Sequence, residues 1–468
     1  MLLRVKVLQV PFNYYPEAVG GTEIYVEALA QRLRAHGVES VIAAPAQQNG
    51  TLERNGLCVR RYALSEQIAD LRELYGEGDA TAAANFEQVL EEERPTVIHL
   101  HAQTRGVSLR MIRVARRRRI PVVYTYHTPT ATCQRGTLLR WGNSVCDGKM
   151  KESLCTACAL QGRGVPRLAA YALAALPVAV AALCGRAGLR GGVWTAMRVR
   201  ELTTLRHRCA REFLAEADHV VAVCEWVREV LLRNGVPAEK ITLSRQGLCQ
   251  KAGAKAESRE QKAGRGTGGG DVSAINFQLS ALSGPKVFRV AFLGRLDRTK
   301  GVDVLIRAVR GVPELNLSLD IYGIAQGEGG RAYEAKLRTL VKDDTRITFH
   351  NPVPAERVVE TLQAYDLLAV PSQGMETGPM VVLEAFAAGV PVLGSRLGGI
   401  AELVREDVDG LLVSAADGAA WSAALRRLSA DPDLMTHLRR GIKPPRTMYA
   451  AAAEMAALYQ RLLANAPV

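Results

Sequence analysis

The sequence predicts an α/β protein of two domains, and three observations carry that reading. Residues 5–45, VKVLQVPFNYYPEAVGGTEIYVEALAQRLRAHGVESVIAAP, read as a strand, a glycine-bearing loop, an amphipathic helix ending at Gly37 and a second strand, which is a βαβ unit. Residues 287–309, VFRVAFLGRLDRTKGVDVLIRAV, give strand, basic loop and helix again, with apolar residues near a 3.6 period in the helix. A chain of 468 residues, 48% hydrophobic and 23% charged, is long enough to bury two cores of ordinary size.

The opening MLLRVKVLQV lacks the charged start and unbroken apolar run of a secretory signal, so the expected location is cytoplasmic. In the first loop Gly20 and Gly21 let the backbone approach a ligand closely, and Thr22 is placed to cap the helix behind them. No G-x-G-x-x-G follows the strand, so neither a nicotinamide nor a flavin cofactor is indicated. TVIHLH and PVVYTYHTP are two further buried strands. The second delivers His127 at its carboxyl end, where an open α/β sheet binds its ligands. His99 and His101 alternate on one strand face and read as structural, lining the cleft at most.

Cys133, Cys146, Cys155 and Cys158 fall together in CQRGTLLRWGNSVCDGKMKESLCTAC. Inside a cell such clustering favours metal over disulfides, with a structural zinc first and an iron–sulfur cluster second. A redox pair, or thiols that merely pack, stay open as alternatives. From Leu154 to Arg200 there is no acidic residue, while Arg163, Arg167, Arg186, Arg190, Arg198 and Arg200 flank an Ala/Leu/Val stretch from Leu168 to Cys184. That pattern suits a helix or hairpin lying peripherally on an anionic membrane surface, on the inner face of the plasma membrane; a buried helix within the domain is the plainer alternative. A crossing segment is disfavoured by Pro177 and by the small driving force of alanine. The basic run ARRRRI at 115–120 closes a helix, where dipole compensation accounts for it.

The first domain is expected over residues 1–250, with a cysteine-containing helical insertion at about 133–210. A flexible linker rich in Gly, Lys, Ser and Ala follows at 251–285, then a second domain at 286–445 and a terminal helix at 446–468. In the second domain, Arg295 and Lys300 follow the strand directly and face its carboxyl end, a fork and a point charge suited to phosphate. Further on, VPSQGMETGPMVVLEAFAAGVPV at 370–392 places Glu376 and Glu384 with seven residues between them. Gly378-Pro379 starts a helix, whose free N–H groups at Met380 and Val381 suit a diphosphate. One turn in, the Glu384 carboxylate can accept two hydrogen bonds from a ribose diol. Gly389 ends the helix. A net charge of +13 asks for an anionic partner, but no nucleic-acid module is visible and only 5% of residues are aromatic, so nucleic acid is excluded.

This last segment, with GSRLGGIAELV after it and GRLDRTKG before it, resembles the E-x7-E signature of the retaining glycosyltransferases of family 4, whose fold, GT-B, has two Rossmann-like parallel-sheet domains facing a cleft. The resemblance implies transfer of a sugar from a UDP- or GDP-sugar donor to a hydroxyl of a saccharide or lipid-linked acceptor, with retention at the anomeric carbon and no catalytic cofactor. It implies that Arg295 and Lys300 hold the donor diphosphate, that Glu376 holds the sugar and Glu384 the ribose, and that the loop at Gly20 and Gly21 reaches the donor phosphate or the acceptor. It also puts His127 against the sugar near the reacting carbon and returns the last helix to the first domain. The rival readings are another GT-B enzyme, such as a nucleotide-sugar epimerase or a phosphorylase, and a non-catalytic membrane-docked scaffold.

Overall fold

The structure, a computed structural model, describes residues 5–17, 20–68, 70–188, 191–249 and 287–465. The stretch expected as a flexible linker, 251–285, lies outside the described residues, as does Arg190.

Two parallel sheets form the frame. The first holds β1 (Val5–Val10), β2 (Val38–Ala46), β3 (Gly50–Arg54), β4 (Leu57–Ala63), β5 (Val97–Leu100), β6 (Val122–Tyr126), β9 (His219–Ala222) and β10 (Ile241–Leu243). Between β6 and β9 lies a small separate hairpin of β7 (Leu139–Arg140) and β8 (Ser144–Val145). The strand order of the first sheet is β10-β9-β6-β5-β1-β2-β4-β3, all parallel except the β3 edge. The second sheet contains β11 (Phe288–Arg295), β12 (Leu317–Ile324), β13 (Ile347–His350), β14 (Leu367–Val370), β15 (Val392–Ser395) and β16 (Gly410–Val413), in the order β13-β12-β11-β14-β15-β16. That is the doubly wound order, which reverses between β11 and β14; a crevice opens at such a point beyond the carboxyl ends of the strands. The first sheet reverses in the same way between β1 and β5.

Because successive residues of a strand point to opposite faces, each sheet has two cores. Val7, Val97, Val123 and Val221 face one layer of the first domain, and Leu8, Ile98, Val122 and Tyr124 the other. The second sheet divides likewise, Val290 and Leu367 against Ala291 and Leu368. Strands buried on both faces explain why these segments read as continuous apolar runs. The helix Met448–Ala464 packs Met448, Ala451, Met455 and Tyr459 into the first domain's core, beside Tyr25 and Leu29 of the helix Gly21–Leu33. The chain therefore returns to the domain in which it began.

The segment between β6 and β9 carries the helices Glu152–Gln161, Arg167–Ala174, Val178–Arg186 and Gly192–Glu216. The two short middle helices meet at 91° around Pro177, and no single helix among the described residues is long and apolar enough to cross a membrane. One side of each turns inward, burying Ala170, Ala174 and Ala181, while Leu168 is 85% and Leu183 59% exposed. The basic run at 115–120 finds acidic partners at the surface, Arg118 pairing with Glu87 at 3.2 Å and Arg117 with the same residue at 3.5 Å.

Candidate active site

The reversal point of the second sheet brings two loops together, one after β11 and one after β14. In the first, Arg295 is the last residue of its strand, half-exposed, with Asp297 at 3.5 Å. Asp297 then caps a single 3-10 turn, Arg298–Lys300, by accepting from the Thr299 N–H at 2.9 Å. Gly301 leaves that turn with φ +67°, and a Cβ there would overlap the Pro371 carbonyl oxygen. Only glycine allows this approach, so the turn is pressed against the second loop and Lys300 is aimed along it. Its Nζ lies 2.6 Å from Glu376 Oε1, which also accepts from the Ser372 hydroxyl at 2.8 Å.

Glu376 is held from both domains. Its carbonyl oxygen accepts from Gly399 N–H at 2.6 Å and from the Trp226 indole N–H at 2.8 Å, Trp226 belonging to the first domain's helix Glu225–Arg233. Gly399 is a glycine for packing, because a Cβ would crowd Glu376 O and Gly378 N. The next residue, Thr377, donates its hydroxyl to the carbonyl of His127 at 2.7 Å. The helix beyond is Met380–Ala387 with Pro379 as its N-cap, one position earlier in the helix nomenclature than the first helical turn expected for it. Met380 and Val381 are thus its first two residues and their N–H groups point out of its positive end. Glu384 follows one turn in. Burial pushes its carboxyl up to about 7, because a charge is poorly solvated there. Gly389, in the left-handed region at φ +73°, terminates the helix as the sequence suggests.

His127 stands directly after β6, 4% exposed, and burial drives its imidazole down to about 3, so it is neutral. The Tyr25 ring meets it edge-on at 5.0 Å between centroids. Gly20 and Gly21 open the helix that carries Tyr25. Gly20 is its N-cap, and its N–H donates to Glu23 Oε2 at 2.7 Å; Thr22 is therefore already inside the helix, and the capping role expected of it falls to Glu23 reaching back. A Cβ on Gly21 would meet nothing within 4 Å.

Of the metal site expected from spacing, the structure brings Cys155 within electrostatic reach of Cys133, Cys146 and Cys158. Among the described residues no three His, Cys, Asp or Glu side chains gather to hold an ion. Cys133 and Cys146 pack against the first domain's core, and Cys158 Sγ accepts the Trp141 N–H at 3.4 Å. Burial raises the thiols of Cys146 and of Cys155, the latter to about 11. All nine cysteines are free.

Several residues at this cleft were not singled out from sequence. Glu402 accepts from the backbone N–H groups of Glu225 and Trp226 at 2.9 and 3.0 Å and from Arg245 at 2.7 Å, capping a first-domain helix from the second domain. Gln246 lies between His127 and Gly378. Their sequence signal was weak, since a glutamate inside a helix and a glutamine in a loop are common.

Comparison with known proteins agrees with this arrangement. Residues 278–443 match the family "Glycosyl transferases group 1", and residues 20–150 match "Glycosyl transferase 4-like domain". Among solved structures, sucrose-phosphate synthase from Thermosynechococcus elongatus superposes with a TM-score of 0.63 at 20% identity, covering 98% of this chain and 100% of that one. Anabaena HepE in complex with UDP gives 0.57 at 16% identity, covering 98% of each. The fold is thus that of the GT-B class. Within it, residues 278–443 carry the domain of the group 1 glycosyltransferases. The D-inositol 3-phosphate glycosyltransferase of Nocardia farcinica is 32% identical over 235 residues, 49% of this chain and 48% of the relative. That of Corynebacterium jeikeium is 38% identical over 152 residues, 31% and 36% respectively. The chain spans about half the length, or less, of these curated relatives.

Proposed function

We propose that this chain transfers a sugar from a nucleoside diphosphate sugar to an acceptor hydroxyl with retention of configuration. The observation that carries the reading is the pairing of Lys300 with Glu376 at the sheet reversal, beside a helix N-terminus and opposite His127. On donor binding Lys300 and Arg295 take the diphosphate, with the N–H groups of Met380 and Val381, while Glu376 is released to bind sugar hydroxyls and Glu384 accepts from the ribose diol. The bond between the anomeric carbon and the diphosphate oxygen breaks as the acceptor oxygen bonds to the same face of that carbon. The hydroxyl proton passes to the departing phosphate oxygen. Negative charge therefore grows where the cations and the helix end are already fixed, which is the arrangement that lowers the barrier.

A neighbour of the same fold is known with UDP-glucose, which supports a UDP-sugar as first choice over a GDP-sugar. Relatives named for D-inositol 3-phosphate make a phosphorylated polyol the first acceptor to try, beside saccharide and lipid-linked acceptors. The test is thermal stabilisation by UDP-, GDP-, ADP- and TDP-sugars, with Glu384→Ala as control, since a ligand bound only by the native state raises the melting point. A shift with one nucleotide that the variant loses supports the donor site, and NMR of the product anomer then reads retention. No shift with any donor overturns the reading.

The same reading includes docking on an anionic bilayer through the bent helix pair. Leu168, Tyr171, Val180 and Leu183 are exposed there, with Val193 and Trp194 after them. The surrounding charge is basic, which suits anionic headgroups. Co-sedimentation with phosphatidylglycerol vesicles but not phosphatidylcholine vesicles, abolished in Leu168→Glu/Leu183→Glu, is expected. Equal sedimentation of that variant excludes this surface.

A further inference from the structure

Behind His127 runs a fully buried chain of polar groups that donor binding as described above does not use. Gln9 (0% exposed), His99 (0%), His101 (2%), Thr125 (0%) and Tyr459 (0%) lie at the carboxyl ends of β1, β5 and β6 and on the returning helix Met448–Ala464. His99 Nε2 is 2.6 Å from Thr125 Oγ1, and its Nδ1 is 2.6 Å from the Tyr459 hydroxyl. Gln9 Nε2 donates to that hydroxyl at 3.5 Å. Gln9 Oε1 is then turned to His101 Nε2 at 2.8 Å, and His101 Nδ1 is 3.0 Å from His127 Nε2. Finally, His127 Nδ1 is 3.4 Å from Gln246 Nε2.

The direction of this chain can be worked out link by link. A neutral imidazole has one N–H and one acceptor nitrogen. Because Gln9 offers an oxygen to His101, the His101 proton sits on Nε2, and its Nδ1 must accept. His127 therefore carries its proton on Nε2 and offers a bare Nδ1. Gln246 must meet that nitrogen with its NH2 group, which leaves its amide oxygen facing the other way. That oxygen is buried and has no hydrogen-bond partner in this ligand-free arrangement. It lies beside Gly378, where a Cβ would be 3.3 Å from it. A buried unpaired acceptor costs free energy unless something donates to it.

We propose that Gln246 is a specificity-determining residue of the cleft, its amide oxygen accepting a hydroxyl of the donor sugar, and that Tyr459, Gln9 and His101 are positioning residues that set its orientation through His127. The proposal rests on the donor reading given above. It makes the last helix, far along the chain, part of sugar recognition: the Tyr459 hydroxyl fixes the Gln9 amide, and every later group follows from that choice. A site built to accept from a hydroxyl discriminates strongly against a ligand without one, because the acceptor is then left unpaired.

Two readouts test it. In calorimetry with UDP-glucose against UDP, and GDP-mannose against GDP, Gln246→Leu is expected to weaken the sugar nucleotide about tenfold while leaving the bare nucleotide unchanged. Equal loss for both, or for neither, refutes the sugar contact. Absence of nucleotide binding by the wild-type protein counts instead against the donor reading. The relay is read independently by histidine 15N NMR of the ligand-free full chain, with unchanged far-UV circular dichroism as the fold control. His127 should show an unprotonated Nδ1 in the wild type, and Tyr459→Phe should mix or reverse the tautomer. A protonated Nδ1 in the wild type, or no change in Tyr459→Phe, overturns the positioning role whatever the ligand is.

Discussion

Lys300 Nζ and Glu376 Oε1 are 2.6 Å apart, joining the loop after β11 to the loop after β14 across the point where the second sheet reverses. Each is about four-fifths covered, 21% and 20% exposed at the side chain, so neither charge is left fully to water. The pair neutralises two of the groups assigned to the donor in the proposed function.

From this pairing, the two halves of the donor site should separate in kinetics. Arg295→Ala and Lys300→Ala are expected to lower kcat by roughly 100-fold, because they remove charge stabilisation of the leaving diphosphate. Glu384→Ala should instead raise the donor KM about tenfold with a smaller change in kcat. Equal effects on both parameters in steady-state kinetics would contradict that division.

Glu384 gives the site a pH dependence. Its carboxyl is raised by burial to about 7, and in the proposed donor site it would accept from the ribose diol best when ionised. Donor affinity should therefore fall by up to about tenfold per pH unit below 7 and level off above it. Isothermal calorimetry from pH 5.5 to 8.5 reads this, and Glu384→Gln should flatten the profile.

The same group acts on stability in the opposite sense. With a folded value above the ordinary 4.5, the native state binds the proton more tightly than the unfolded chain does between pH 4.5 and 7. Stability from this group is then present at low pH and lost as pH rises through about 7. Ligand-free Glu384→Gln should accordingly be more stable than the parent at pH 8 and close to it near pH 4, with the difference growing between pH 4.5 and 7. Urea unfolding at the two pH values is the check.

Gly301 and Gly21 should respond differently to alanine. At Gly301 the positive φ and the Pro371 carbonyl both oppose a side chain, so Gly301→Ala should cost about 1–3 kcal/mol and displace Lys300, with activity falling alongside the melting temperature. At Gly21 there is open space, so Gly21→Ala should leave the melting temperature within about a degree while weakening the donor. A Gly301→Ala protein with normal activity would show that the loop does not depend on this contact.

Glu402→Ala should loosen the join between domains. It removes the acceptor for the N–H groups of Glu225 and Trp226 and the partner of Arg245. Loss of such a cap is worth about 1–2 kcal/mol, and solution scattering should show a larger radius of gyration in the variant. Unchanged scattering and stability would place the hold between domains elsewhere, at Thr377 and His127.

What was readable in the chain follows from local chemistry. The apolar runs of β1, β5, β6 and β11, the glycine at 389 and the helix of residues 380–387 obey short-range rules of periodicity, capping and chain stiffness. The approach of Gly301 and Gly399 to their neighbours was not readable, since it depends on chain segments about seventy residues and about twenty residues away. Four thiols within a short stretch share an ion only if the backbone turns them toward one point, which spacing alone does not fix.

The sequence by itself determined the two α/β units and the charged groups on their loops, because strand burial, helix starts and glycine turns are decided within a few residues. Only the tertiary structure decided which groups face one another: Lys300 with Glu376, Thr377 with His127, and Tyr459 with His99 across 360 positions of chain. The reason is physical. A hydrogen bond or ion pair forms over about three ångströms, and sequence separation says nothing of that distance until both sheets have folded and the last helix has returned to the first.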